Sequence, residues 1–374
     1  MDFGSGVVKL LQLREHCQGL QVVGAAQCWH TTDEEGRPSA EALTEQLRSA
    51  IATGGFTGRR CVVALPRDQV NVQSIRLPQM PDSELRQAIE WEASQRFGFD
   101  RGAMQADHIR TGALLQSGEN REEVLLVAAS HDAIHSHIDP LIDAGLRIVA
   151  VDTGFAALAR TVSRRCRRES DRDQVRAVLE VGASGSVVMI LRGDQIAFCK
   201  SINIGGGQFS EAVADHLQLE KAAAAELRAE RMAAGGINDD GRAELDESTS
   251  RAVFEATRPL MGDLAKEVML CLRYYGVTFR GQPPDRIVLT GGDGLEPRLD
   301  ETLSRACGIE VVFDDSIRGL ETFLPQIQDK LNRSPGPLGA WVVAAGLSLR
   351  GIRAGRLAQD AGDAEPAIGK GAAA

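Results

Sequence analysis

Two rhythms of apolar residues alternate along this chain, and each change of rhythm falls at glycine, proline or a polar cluster. Short β-branched runs predict strands after Gly6 and at Leu20–Trp29, Cys61–Pro66, Val70–Leu77, Glu123–Ala129 and Leu146–Val151. Helical spacing appears at Pro38–Ala52, where Ala42, Leu43, Leu47 and Ile51 share one side. It returns after Pro81 with Leu85, Ala88, Ile89, Ala93 and Phe97, and Asp82 and Glu84 there complement the helix dipole. Trp91 falls off that stripe, as a partner contact or as a partly buried helix edge. Further helices are predicted at His131–Ala144 and Phe155–Val162.

The second half opens on AVLEVGASGSVVMIL, Ala177–Leu191, which reads as strand, small-residue turn, strand. A strand at Gln195–Ile204 runs into Gly205-Gly206-Gly207, with helices at Gln208–Leu217 and Lys221–Met232 and a Gly/Asp-rich loop at Ala234–Gly241. Ser248–Tyr275 is helical, with Leu260, Leu264, Val268, Leu272 and Tyr275 on its buried side; Pro259 either kinks it or starts a second helix. Next come a strand at Arg286–Thr290 running into Gly291-Gly292, a helix at Leu295–Cys307 and a strand at Ile309–Phe313. The small-residue helix Trp341–Leu349 suits close packing, and beyond Gly351 the lack of periodicity predicts disorder. Between the halves, Arg164, Arg165, Arg167 and Arg168 precede Glu169, Asp171 and Asp173, a pattern expected of a solvated connection.

Length bounds this picture: 374 residues suit one two-lobed domain or two to three compact units. A net charge of −10 and 4% aromatics argue against nucleic acid, whose backbone selects basic faces and whose bases select stacking platforms. The seven cysteines form no CxxC pair, so reduced thiols are expected. No apolar run reaches the length of a membrane span, and the expectation is a soluble protein that stays in the cytoplasm. His131, His135 and His137 lack an evident third ligand and read as solvated helix residues.

The candidate chemistry lies in three glycine turns that follow apolar strands: Asp2–Gly6, Gly182–Ser186 and Thr290–Gly294. Small turn residues leave backbone N–H groups bare, and converging N–H groups bind an anion. Glu180, at the end of the strand before the second turn, can reach a hydrated cation beside that anion. Asp2, Gly4-Ser5-Gly6 and Lys9 repeat the design. The plain alternatives are an ordinary hairpin and a frayed first strand. A strand is expected to run into Asp2, so either the true start lies upstream or the sheet lacks a strand segment.

The order of these turns resembles the actin-like ATPase superfamily, with DFGSGVVK matching its first hairpin at Asp2, Gly4, Ser5, Gly6 and Lys9 and IVLTGGDG its late double-glycine loop. LPQMPDSELRQAIEWEASQRF, the central hairpin, INIGGGQFSEAVADHLQLEKAAAAELR, VLTGGDGLEPRLDETL and VAAGLSLRG resemble the PilM family of type IV pilus assembly proteins, relatives of FtsA. The resemblance implies an α/β, actin-like two-lobed fold of duplicated ribonuclease-H-like cores with a small α+β subdomain inserted in the first lobe. The expected boundaries are a first lobe at 1–163 with the insertion at about 60–145, a connection at 164–174, a second lobe at 175–350 whose last helix packs back on the first, and a tail at 351–374.

The resemblance further implies ATP and Mg²⁺ in the interlobe cleft. Asp2 and Glu180 would face Mg²⁺ through water, and Lys9 would meet the β- and γ-phosphates. Gly4, Ser5, Gly6, Gly182, Ala183 and Ser184 would offer backbone N–H groups, while Gly205, Gly206, Glu226, Arg228, Gly291 and Gly292 would line the nucleoside side. The implied partner is the N-terminal tail of a PilN-like inner-membrane protein, with self-association possible and the membrane reached only through that partner. Three departures bear on turnover, the first being the missing strand before Asp2. The family usually has Asp where Glu180 stands, one methylene (about one bond length) shorter, and Lys where Arg228 stands. Asp152 is the candidate for positioning water, with a helix N-cap as its alternative. The expected function is therefore a nucleotide-regulated scaffold with slow or absent hydrolysis. A phosphotransferase or active ATPase of the superfamily, or the actin-like part of a type II secretion system, stands as the alternative.

Overall fold

A computed structural model describes residues 1–16, 19–29, 39–100, 102–116, 119–166, 168–235, 247–279, 282–314, 316–317 and 337–362. The first sheet has the strand order β3-β2-β1-β4-β8, built from β1 (Asp2–Phe3), β2 (Val7–His16), β3 (Gly19–Trp29), β4 (Arg60–Ala64) and β8 (Arg147–Asp152). The second has the order β11-β10-β9-β12-β13, built from β9 (Val175–Val181), β10 (Ser186–Arg192), β11 (Gln195–Ile202), β12 (Arg286–Thr290) and β13 (Glu310–Phe313). In each, three antiparallel strands lead into two parallel ones, so one topology occurs twice.

Helices cover these sheets because each presents one apolar side. In the first lobe α1 (Ala40–Thr53) and α3 (His131–Asp143) bury Leu47, Ile51 and Leu141 with Val8, Leu10 and Val63. In the second, α5 (Gly206–Leu217), α7 (Glu247–Phe279) and α8 (Leu299–Cys307) bury Phe209, Leu264, Val268 and Leu303 with Leu179, Ile190 and Ile287. The facing sides of the two sheets close on α4 (Gly154–Val162) and α9 (Val342–Gly362). There Leu11, Leu13, Leu158, Met189, Val288, Trp341 and Val342 form one core. The chain's last described helix therefore packs against the first lobe: the Leu13 N–H donates to Ser348 Oγ at 2.9 Å, and Thr161 Oγ1 to the Val342 carbonyl at 2.8 Å.

A third sheet, β5-β7-β6, is formed by β5 (Asn71–Pro78), β6 (Met104–Gln116) and β7 (Glu119–Ser130), and α2 (Asp82–Phe97) covers one face through Leu85, Ile89 and Ala93. Trp91 is half exposed on α2, off that buried stripe. This unit occupies 71–130, narrower than the expected 60–145, since β4 pairs within the first sheet and α3 packs on it.

Several local expectations change. Strand β6 was not expected: its polar positions and the register shift between Arg110 and Gly112 hide the alternation. α7 runs unbroken through Pro259, because burial of Met261, Leu264, Ala265 and Val268 outweighs a local proline cost of about 3 kcal/mol. α8 begins at Leu299, not Leu295, after Arg298 takes a left-handed conformation at φ 70°. α9 continues to Gly362 where disorder was expected beyond Gly351, and it is preceded by a 3-10 turn at Leu338–Trp341. The Gly/Asp-rich loop beyond Gly235, Arg167, Cys17 and the tail beyond Gly362 lie outside the described residues. The six described cysteines are free thiols. Among the described residues no helix is long and apolar enough to cross a membrane.

Candidate functional site

The duplicated sheets place two chemically similar turns at equivalent positions. Asp2 pairs with Lys9 across its hairpin and with Ala64 on the parallel side. Glu180 pairs with Val187 across its hairpin at the same spacing, and with Thr290 on the parallel side. Each turn closes on itself in the same way: the Gly4 N–H donates to the Val7 carbonyl at 2.9 Å, and the Gly182 N–H to the Gly185 carbonyl at 3.0 Å. Gly4 and Gly182 therefore do not offer the free N–H groups expected of them, since those donors hold the turns tight. The tips do: the N–H groups of Ser5, Gly6, Ala183 and Ser184 are exposed and take no partner among the described residues.

Beside the turns sit two carboxylates. Burial pushes the Glu180 carboxyl up to about 7, the Asp2 charge adds to the shift, and Lys9 and Arg67 oppose it. Burial likewise raises the Asp2 carboxyl, against Lys9. Each carboxylate is costly to ionise where it stands, which is the chemistry of a donor set that a divalent cation would stabilise. Lys9 makes no ion pair with a described residue and places its positive charge on the strand paired with Asp2. Asp2, Glu180, Lys9 and the four bare N–H groups thus fit a phosphate with its cation.

The remaining predicted residues form the floor beneath the second turn. The N–H groups of Gly205 and Gly206 are spent, on Gln208 Oε1 at 3.0 Å and the Gly182 carbonyl at 3.0 Å. Gly206 carries no side chain because the Asp293 carboxylate fills the space a Cβ would take. Gly291 and Gly292 follow β12, and the Asp293 N–H fastens that turn to the Val181 carbonyl at 3.0 Å. Arg228 lies on α6 (Lys221–Gly235) and is 2% exposed. Its guanidinium donates to Glu296 at 2.7 and 3.1 Å, to Asp293 at 3.1 Å, to Ser210 at 2.8 Å and to the Gly206 carbonyl at 2.7 Å. Arg228 therefore holds Gly206 and Asp293 in place and has no face open to a ligand. Glu226 is exposed on the same helix.

Asp152 is neither the helix cap nor a free base. Its Oδ2 accepts from Arg160 at 3.0 Å and Arg350 at 2.9 Å, while Thr153 caps α4. Among the described residues no group of three metal-capable side chains is found, and His137 sits edge-on against Phe3 at 5.3 Å. Arg67, Asp293 and Glu296 were missed by motif reading. Overlaying the repeats would have found the first two: Arg67 and Asp293 stand equally far beyond Ala64 and Thr290, the strand partners of Asp2 and Glu180.

The family model described as type IV pilus assembly protein PilM matches residues 1–352. The chain belongs to the PilM family. No curated protein matches its sequence. Among solved structures it is similar to a PilM-PilN type IV pilus biogenesis complex, with a TM-score of 0.74 and 23% identity over 94% of this chain and 97% of that one. It is also similar to the ethanolamine utilization protein EutJ from Carboxydothermus hydrogenoformans, with a TM-score of 0.51 and 14% identity over 93% and 87% of the chains. The fold of this PilM-family chain is thus the actin-like one, two related lobes with a small sheet-and-helix unit between β4 and β8.

Proposed function

We propose that this PilM-family protein is an ATP-binding scaffold of a type IV pilus assembly platform. ATP lies between the two glycine turns, with Asp2 and Glu180 facing Mg²⁺ through water, Lys9 on the β- and γ-phosphates, and the floor of Gly205, Gly206, Gly291 and Gly292 toward the nucleoside. The observation that carries this reading is the doubled unit itself: a carboxylate, a closed turn and bare N–H groups at equivalent registers of two sheets. Slow or absent hydrolysis follows from the side chains available. Asp152 is locked between two arginines, and Glu180 reaches one methylene further than an aspartate. In-line attack tolerates little misplacement: about an ångström costs on the order of a hundredfold.

The partner is the N-terminal tail of a PilN-like membrane protein, bound beside the three-stranded sheet, which keeps the protein cytoplasmic and at the inner face of the membrane through that partner. The small unit is suited to report closure because its Leu125 belongs to the core that holds residues of both lobes. Calorimetric titration of a PilN-type tail peptide, with and without Mg-ATP, tests the reading. Peptide affinity that changes with nucleotide is expected. Clear ATP binding with no peptide binding would remove the scaffold and leave a superfamily enzyme.

A further inference from the structure

The segment between β4 and β5 makes one 3-10 turn, Arg67–Gln69, and carries an arginine from the first lobe to the second. Arg67 Nη2 donates to the Ser184 carbonyl at 2.7 Å, and Nη1 to the Ile202 carbonyl at 3.1 Å. The first acceptor is in the exposed tip of the second glycine turn and the other ends β11, so the guanidinium lies over the mouth of that turn. Glycine at 185 leaves it room, because a Cβ there would overlap the guanidinium.

This contact is poorly matched to its side chain. A guanidinium offers five donors in a fork shaped for carboxylate or phosphate. Here it meets two neutral carbonyls, and its buried Nε has no hydrogen-bond partner among the described residues. Asp293, its equivalent in the second repeat, is instead neutralised by Arg228 at 3.1 Å. Of the two equivalent positions, the first lobe's therefore brings to the cleft a cation that makes no ion pair with a described residue and whose charge acts on Glu180. Guanidinium–phosphate pairs are bidentate and about twice as strong as neutral hydrogen bonds. A phosphate arriving at the Ser5–Gly6 and Ala183–Ser184 amides would thus take Arg67 from its carbonyls.

Resting on the nucleotide reading above, we propose that Arg67 is a ligand of the nucleotide's terminal phosphates and exchanges the Ser184 and Ile202 carbonyls for them. Because β5 begins at Asn71, that exchange pulls on the strand entering the three-stranded sheet and so links phosphate number to the partner-binding unit.

The test uses the full chain, with Mg-ADP and a non-hydrolysable Mg-ATP analogue titrated into wild type, R67Q and R67K. Hydrogen exchange over β5 and α2 is followed in parallel. R67Q is expected to weaken the analogue by about ten- to a hundredfold, the worth of a charge-assisted contact, and ADP by less. It should also abolish any nucleotide-dependent exchange in 71–97, with R67K intermediate because it keeps charge but not the fork. Should R67Q fail to fold, R67K carries the comparison. Wild-type ratios of triphosphate to diphosphate affinity in the folded variants overturn the role of Arg67 and leave nucleotide binding standing. Failure of the wild-type protein to bind either nucleotide removes both.

Discussion

At the residue scale, Glu180 is the most informative side chain in the cleft. Its carboxyl titrates at about 7 because burial and Asp2 outweigh Lys9 and Arg67. A carboxyl raised on folding binds its proton more tightly folded than unfolded, so the folded state loses stability as pH rises from 4.5 through 7. Glu180→Gln removes that loss. Without nucleotide or Mg²⁺, the variant should exceed wild type at pH 8 by about 1–2 kcal/mol, discounted for solvent at the cleft mouth, with the gap closing below pH 5. Thermal melts across pH measure it, and a gap independent of pH would show that Glu180 does not carry the strain. The buried Arg228–Glu296–Asp293 group shows the opposite arrangement, each charge met by another. Its role as a brace was illegible in sequence, which set Arg228 on the nucleoside side, because its acidic partners lie 65 and 68 residues further along the chain.

Element-scale behaviour is set by how closely α4 and α9 approach. A Cβ at Gly346 would overlap the Ala157 carbonyl and stand 2.7 Å from Thr161 Oγ1. Alanine favours a helix over glycine by about 1 kcal/mol, while overpacking costs about 1–3 kcal/mol. Gly346→Ala should therefore destabilise despite its better propensity, and urea unfolding decides which effect wins. Long periodic elements such as α2 and the β9–β10 hairpin were legible because their burial pattern repeats over many residues. Strand β6 was not, since an edge strand needs only one apolar face and its bulge breaks even that.

For the whole molecule, the small sheet is a third body wedged against both lobes. Leu125 from β7 joins the core that also holds Phe155 and Leu158 of the first lobe and Val187, Met189 and Cys199 of the second. Leu125→Ala should cost about 2–5 kcal/mol in urea unfolding. It should also flatten the dependence of peptide affinity on Mg-ATP, because the sheet then follows the lobes less tightly. Undiminished dependence in a folded variant would mean that closure reaches the partner surface by another route.

The sequence alone determined the family, the two carboxylate-turn units and most of the strand and helix rhythm, because these depend on residues adjacent in the chain. Tertiary structure decided what those units contain. The locking of Asp152 by Arg160 and Arg350 and the burial of Arg228 against Glu296 arise from contacts between elements. So does the reach of Arg67 to Ser184, two residues 117 positions apart in sequence, which no local pattern encodes.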